Sequence, residues 1–339
     1  MRSVVASVSS LLWLSFSCIG QTRPTHDYKK AMDSVKLYYL SEAATRYPIL
    51  RPVSVSTDVI GNSSIHSNLH GKSFFDGKIH SARTTVNINL PVISWGKNSI
   101  TFSVGYLQQR ISLFQVKSYN TALPVSNNVI NRGTASFAFS YGRTDSLFGK
   151  PVIYSVAVIG STSEASSVQQ LALQGTMLFI LKRTSSTALS LGATIIHDPS
   201  LSVPVIPVVN YWHKFKSGTE LYADLPQRVM VRQQFSPKAW IMLGTELGGS
   251  LTFFTPKSQY LPQNINYSTL ELKSGLTLEY RIFPKIIISC KGGLINPISS
   301  RSFKQGELSN DYIIDNNIKM APFINLSVSI LPFLKPFFH

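Results

Sequence analysis

The feature that most constrains the fold is a strict two-residue alternation of apolar and polar side chains. In TLELKSGLTLEYR, at 269–281, apolar residues such as Leu278 alternate with polar ones such as Glu279. Successive side chains of a β-strand point to opposite faces, so each such segment has one apolar and one polar face. The stretches TTVNINL, at 84–90, and INLSVSI, at 324–330, follow the same rule. The pattern predicts half-buried strands and an all-β fold.

Strand signals of this kind recur from residue 51 to the end of the chain, and the connections between them alternate between mostly long and short. Fourteen segments carry the signal: 51–60, 82–92, 99–107, 132–142, 151–160, 171–182, 187–196, 204–213, 218–224, 228–235, 239–251, 268–281, 285–294 and 320–331. The longest predicted loops are 61–81, 108–131 and 295–319. Long loops at one end and tight turns at the other are typical of bacterial outer-membrane barrels. We therefore predict a closed antiparallel up-and-down transmembrane β-barrel of about 14 strands, with 12 as the alternative.

The N-terminus has the pattern of a secretory signal peptide. Arg2 precedes an apolar stretch, and the small residues Cys18 and Gly20 stand before Gln21. Such a pattern predicts cleavage near Gly20-Gln21 and export from the cytoplasm. Lipidation at Cys18 is the alternative, although the three residues before it do not form the usual recognition motif. We expect a signal peptide at 1–20 and localisation in the bacterial outer membrane.

Charge and composition are unusual for a soluble domain. Of the 339 residues, 44% are apolar and only 14% are charged, and the formal charge is +16. Removal of Arg2 with the signal peptide lowers that charge by one, to +15. Because the cations are scattered along an exported chain, we expect an anionic membrane surface and no nucleic acid as the partner. Cleavage leaves only Cys290, so no intramolecular disulfide is expected.

The remaining organisation is simple. Residues 21–50 are expected to form a periplasmic or lumenal segment with one short helix, and 51–339 the barrel domain. A segment of this length is too short for the folded plug domain of a TonB-dependent receptor. Aromatic residues near strand ends are expected to form belts at the two membrane interfaces; they are Trp95, Tyr106, Tyr141, Trp212, Phe215, Trp240, Tyr280 and Phe283.

The central part of the chain resembles a known family. The resemblance rests on VPVIPVVNYWHKF, on the following ELYADLP, and on RQQFSPK leading into a glycine-rich strand. In these features the chain is similar to a family of uncharacterised outer-membrane β-barrel proteins of Gram-negative bacteria, mainly Bacteroidota. The resemblance implies a barrel, with no assigned activity or catalytic residue. Barrels usually end on an aromatic residue, for which Phe333, Phe337 and Phe338 are the candidates here.

Motifs for metal binding or catalysis are weak. His66 and His70 have helical metal-site spacing, but they fall in a predicted Ser/Asn/Gly-rich loop, so no metal site is expected. The stretch TIIHDPS brings His197, Asp198 and Ser200 together in sequence, yet strand neighbours face opposite ways and do not form a triad. We expect neither an enzyme nor a cofactor.

The most informative polar residues are those predicted to face the lumen. The candidates are Asp58, Glu220, Asp224, Arg228, Arg232, Glu246, Glu271, Lys273, Glu279, Arg281 and Lys291. Both signs occur together, so these residues could filter ions in a pore or form an internal salt-bridge network. We expect a passive channel or transporter for small solutes, and the alternative is a sealed structural or surface-binding barrel. The expected partners are outer-membrane lipid, lipopolysaccharide and the outer-membrane assembly machinery, whereas solute and oligomeric state stay open.

Overall fold

The computed structural model describes residues 26–163, 168–198, 204–256 and 260–332. The described part begins with helix α1 (His26–Arg46) and a 3-10 turn (Pro48–Leu50), and continues as strands. The strands are β1 (Val53–Leu69), β2 (Lys72–Trp95), β3 (Asn98–Ser118), β4 (Asn128–Leu147), β5 (Lys150–Ser163), β6 (Gln170–Arg183), β7 (Thr187–His197), β8 (Val205–Lys214), β9 (Glu220–Leu225), β10 (Arg228–Ser236), β11 (Ala239–Phe254), β12 (Ile265–Phe283), β13 (Ile286–Lys304), β14 (Tyr312–Ile318) and β15 (Ala321–Ile330). No helix in the described ranges is long and apolar enough to cross a membrane.

The strands close into a single antiparallel barrel. From β1 to β14 each strand pairs with the next along the chain, and β1 pairs with β14 and β15, which both also pair with β13. Strands β14 and β15 are therefore two parts of one strand position in the barrel wall, interrupted at 319–320 beside a bulge in β1. We call each such strand position a stave. Fourteen staves result, which confirms the predicted closed barrel. Closure leaves no strand edge unpaired, as a barrel in lipid requires.

The outer face carries an exposed apolar belt. Val55, Phe139, Leu278 and Leu326 are all exposed, and each alternates with an inward polar neighbour. This arrangement is the lipid-facing surface of a membrane barrel. Six of the eight aromatics expected at the interfaces are exposed, namely Trp95, Tyr106, Tyr141, Phe215, Tyr280 and Phe283. The interface prediction is wrong for Trp240, which is fully buried, and for Trp212, which packs on an interior apolar cluster, because both lie on inner faces.

The predicted long loops are largely wrong, because the strands continue through them. Strands β1 and β2 form a hairpin whose two-residue turn, His70-Gly71, has positive φ at both positions, as hairpin turns of this length require. The predicted loops 108–131 and 295–319 likewise contain the ends of β3, β4, β13 and β14. Apolar residues hidden in the Ser/Asn-rich sequence, including Ile65 and Phe75, form a cluster that holds these extensions together. We call this side the extended end and the other the short-turn end.

Strands β11, β12 and β13 share a row of glycines. Gly244 pairs with Gly275, which pairs with Gly293. At each position a Cβ atom would collide with main-chain atoms of the neighbouring strand, so only glycine allows this close approach. Above the row, β11 comes close to β4 on the opposite wall of the barrel. The extended end is narrowed where β11 approaches β4.

Candidate functional site in the barrel lumen

The inner face of the barrel is polar and charged. All eleven residues predicted to face the lumen lie on this face, as the strand registers and their contacts show. The stretch TTVNINL is placed in the same way. Asn89 points inward, where it donates a hydrogen bond to the Arg51 carbonyl, and Val86 shares the outer face with its partner Val55.

A central ion-pair network on the lumen side connects strands that are not direct neighbours in the sheet. Lys273 Nζ lies 2.6 Å from Asp58 Oδ2 and 3.6 Å from Glu271 Oε1. Glu271 also accepts a hydrogen bond from Arg83, and Asp58 accepts one from Asn325 Nδ2 at 2.8 Å. The network therefore joins β12 to β1, β2 and β15, and its charges are balanced.

A second pair lies beside this network and faces open space. Lys291 Nζ is 2.6 Å from Glu246 Oε2, and the Glu246 side chain is 40% exposed although it points into the barrel. Asn87, which is also on an inner face, is exposed as well. A cavity of about 40 Å³ lies near Arg83 and Glu271. Such a volume holds a few water molecules, so the lumen is only partly filled by side chains.

The short-turn end is closed by residues 41–51, which we call the plug segment. Its last residue, Arg51, is buried, and its guanidinium contacts both carboxylate oxygens of Glu279 at 2.7 and 2.9 Å. Glu279 also accepts a hydrogen bond from Trp240 Nε1 at 2.6 Å. Leu50 packs in an apolar cluster with residues of the barrel wall. The plug segment is thus held by one buried charge pair and by apolar packing.

Further contacts fix the helical part of the plug segment. Arg46 lies 3.6 Å from Glu220, whose carboxylate also pairs with Arg232 at 3.3 Å. Arg281, another predicted lumen residue, is 4.0 Å from Glu42. Lys285, in the turn between β12 and β13, donates a hydrogen bond to Ser41. Burial is the main reason that the pKa of Lys285 is lowered.

The remaining predicted residues, Asp224 and Arg228, form a pair beside the plug segment. Arg228 Nε lies 2.7 Å from Asp224 Oδ2, and the guanidinium stacks 5.1 Å from the ring of Tyr47 in the plug segment. Tyr47 in turn meets the Tyr222 ring edge to face. The pair therefore joins the barrel wall to the plug segment.

The extended end is narrowed by the barrel's own strands. Thr252 of β11 donates a hydrogen bond to Gln109 of β3 across the lumen at 3.3 Å. The guanidinium of Arg132, on β4, lies 5.2 Å from the ring centroid of Phe254. The amide of Asn266 reaches Gln170 on β6 at 3.4 Å. We call these cross-barrel contacts the outer constriction.

Three residues that take part in the lumenal contacts were not among the residues predicted to face the lumen. Arg83 stands two residues before Thr85 on the same strand face, so extending the alternation would have found it. Arg51 precedes the first strand, and no local pattern marks it. Trp240 was expected at an interface because it lies near a strand end. It lies an even number of positions from Glu246 on the same strand, so it shares the inner face with Glu246.

Several buried hydroxyl and amide groups of the inner face have no partner within the described part of the protein. Examples are both amide atoms of Gln174 and the hydroxyls of Ser103, Thr134 and Ser140. Unsatisfied polar groups are costly in a dry interior, so these side chains indicate a hydrated lumen.

The histidines and the HDPS stretch are placed as follows. His66 Nδ1 contacts Asp76 at 2.5 Å in the extended β1–β2 hairpin, which is a strand pair and not the expected loop. His197 is exposed whereas Asp198 is buried, and Ser200 lies outside the described residues. The expected signal peptide and the C-terminal candidates Phe333, Phe337 and Phe338 also lie outside them. The described residues contain no group of three or more potential metal ligands.

Comparisons with known proteins follow the fold. Similar structures include the COG4313 outer membrane channel from Pseudomonas putida F1, with 11% identity, TM-score 0.36 and coverage of 83% of this chain and 96% of that one. The translocator domain of autotransporter NalP from Neisseria meningitidis has 10% identity and a TM-score of 0.31, with coverage of 90% of this chain and 96% of that one. A Pseudomonas aeruginosa FadL homologue has 8% identity and a TM-score of 0.29, with coverage of 83% of this chain and 90% of that one. These distant likenesses carry no function over. Among curated proteins, none matches the sequence. A family model matches residues 52–331, and the chain therefore belongs to the family described as "Domain of unknown function (DUF6268)".

Proposed function

We propose that the protein is an outer-membrane channel for small hydrophilic solutes. In this structure the plug segment holds the channel closed. The observation that carries the proposal is the charged lumen. Fourteen staves are more than the eight whose interior side chains alone can fill, so an aqueous path is geometrically available. The lumenal charges of both signs would then act as the filter.

The energetics of buried charge support this proposal. Ion pairs that are removed from water gain little over apolar residues of similar volume, because desolvation offsets their attraction. A barrel that only had to be stable could fill its interior with apolar side chains. This one retains the central network and the exposed Glu246 carboxylate. Charged groups that water can reach can interact with passing solutes, a role that side chains serving only to pack the interior do not have.

The plug segment is the natural gate in this proposal. It lies before β1 in the chain, so its removal breaks no strand pairing. The pair formed by Arg51 and Glu279 is its most buried polar anchor, and loss of that anchor should favour release.

A sealed structural barrel is the second candidate, and one observation favours it. The central network pairs its charges with one another, and the cavity beside it is only about 40 Å³. In that case release of the plug segment would not produce conduction.

The test is single-channel conductance of the refolded mature protein in a planar bilayer. The double variant Arg51→Gln/Glu279→Gln removes the anchor without leaving an unpaired charge. The matched control is Arg143→Gln/Asp145→Asn, which removes an exposed pair at the same end of the barrel. We expect frequent discrete openings in the first variant and wild-type behaviour in the second. Silence from a folded anchor variant would favour the sealed barrel.

Other assignments are part of the same proposal. The apolar belt supports the proposed outer-membrane location, insertion by the assembly machinery and contact with outer-leaflet lipid, and no nucleic-acid partner is proposed. The absence of enzymatic activity and an origin in Bacteroidota stay predictions.

A further inference from the structure

Cations inside the barrel differ in their pairing from two cations on the extended strands. Inside the barrel, Arg51, Arg83 and Lys273 each contact a carboxylate. On the extended parts of β2 and β3, by contrast, Lys78 and Arg110 are exposed, and neither forms an ion pair with any residue the structure describes. One outward sector of the extended end therefore carries positive charge that no carboxylate of the described residues pairs with.

The direction of these side chains follows from their neighbours. Ile79, Ser81 and Ile111 line the interior cavity. Because strand side chains alternate, the neighbouring Lys78, His80 and Arg110 point outward. Arg110 is opposite Ala82, His80 is opposite Ser112 and Lys78 is opposite Phe114, so the three side chains follow one another along a line, with His80 between the two cations. We call these three residues the basic stripe.

No nearby acid neutralises the basic stripe. Within 60–81 and 108–118 the sequence has Lys72, Lys78, Arg110 and Lys117 against a single acid, Asp76. The Asp76 carboxylate already accepts hydrogen bonds from Tyr119, at 2.6 Å, and His66. The stripe is therefore free to pair with an anionic group from outside the protein.

The position of the stripe indicates which anion that is. On β3 the outward face carries Val104 and Tyr106, both exposed, in the apolar belt. Arg110 follows on the same face four residues later, about 14 Å along the strand. One molecule with acyl chains against the belt and phosphate directly above them fits both surfaces, whereas a soluble acidic protein would cover only the upper one.

We propose that the basic stripe binds the phosphate groups of the outer-leaflet glycolipid, lipopolysaccharide, with Lys78 and Arg110 as the cations and His80 as an additional hydrogen-bond donor. The inference rests on the outer-membrane location in the proposed function, and it is independent of conduction. Arg110 offers a planar fork of donors that suits phosphate, and Lys78 adds a point charge.

The test is a titration of the refolded mature protein with purified lipopolysaccharide in neutral detergent at physiological salt. Each cation near an anionic lipid surface contributes about fivefold in affinity, so Lys78→Gln/Arg110→Gln should raise the Kd roughly twenty-fivefold. The control Lys150→Gln/Lys216→Gln makes the same charge change at the short-turn end and should leave the Kd within about twofold. Dephosphorylated lipopolysaccharide should bind the wild type as weakly as the stripe variant binds the intact lipid.

Two results would overturn the inference. One is a stripe variant that is folded, by its heat-dependent gel migration, and that binds intact lipopolysaccharide as the wild type does. The other is equal wild-type affinity for the dephosphorylated lipid, which would assign the binding to acyl chains alone. Neither result affects the conductance experiment, so the channel proposal and this inference fail separately.

Discussion

The two ends of the barrel are narrowed by different means. At the short-turn end, a separate piece of chain enters the lumen and is held by the buried pair between Arg51 and Glu279. At the extended end, β11 approaches the opposite wall, and contacts such as Arg132 on Phe254 form the outer constriction. The first closure can be released without loss of strand pairing, whereas the second is part of the barrel wall. The difference points to the plug segment as the movable element.

The largest effect is expected from Arg51→Ala. This change leaves the Glu279 carboxylate buried without its guanidinium, which should cost about 3–5 kcal/mol of unfolding free energy. Urea unfolding followed by tryptophan fluorescence measures the loss. The double variant Arg51→Gln/Glu279→Gln should lose distinctly less, because no lone charge is left. Equal losses in both variants would show that the charge pair is not the main anchor.

A smaller effect is expected at the glycine row. Gly275→Ala places a Cβ atom against the main chain of β13, and overpacking of this kind costs about 1–3 kcal/mol. The matched control is Gly248→Ala, whose Cβ atom would be 3.9 Å from the nearest neighbour, in ordinary contact. Unfolding in urea should separate the two variants. If both behave alike, the close approach of β12 and β13 does not constrain the wall.

The outer constriction should respond more weakly still. Phe254→Leu removes the aromatic face under Arg132, a contact worth about 0.5–1 kcal/mol at a partly exposed site. With the plug anchor intact, we expect the variant to remain silent in a bilayer. Combined with Arg51→Gln/Glu279→Gln, it should increase the conductance of each opening above that of the anchor variant alone. Conduction by Phe254→Leu alone would assign the main gate to the extended end.

The smallest effect concerns pH at the tip of the extended end. Hydrogen bonds from Tyr119 and His66 lower the pKa of Asp76. A carboxyl group with a lowered pKa stabilises the folded contact above its unfolded value of about 3.9, and the contribution is lost as the pH falls through the folded value. Hydrogen exchange in the β1–β2 hairpin should therefore show more local opening as the pH falls below about 4. Asp76→Asn should remove that difference, and an unchanged response would exclude Asp76 as its source.

Prediction succeeded where the alternation within a single strand decides which face a side chain takes. The alternation in 269–281 assigns Leu278 to the outer face and Glu279 to the inner face, and the structure has both there. Prediction failed where a side chain's environment depends on distant strands. Ile65 and Phe75 in the supposed loop form strands because they pack with residues of β3 and β14. Arg51 pairs with a residue 228 positions away, which no local pattern encodes.

The sequence by itself determined the strand class, the closed barrel and the sorting of side chains between lipid and lumen, because a period of two residues fixes faces locally. Only the tertiary structure decided which charges meet, where the plug segment lies and how far the strands extend beyond the belt. Those features depend on contacts between staves far apart in the chain. Their distances are set by barrel closure and by the glycine row, and not by any single segment.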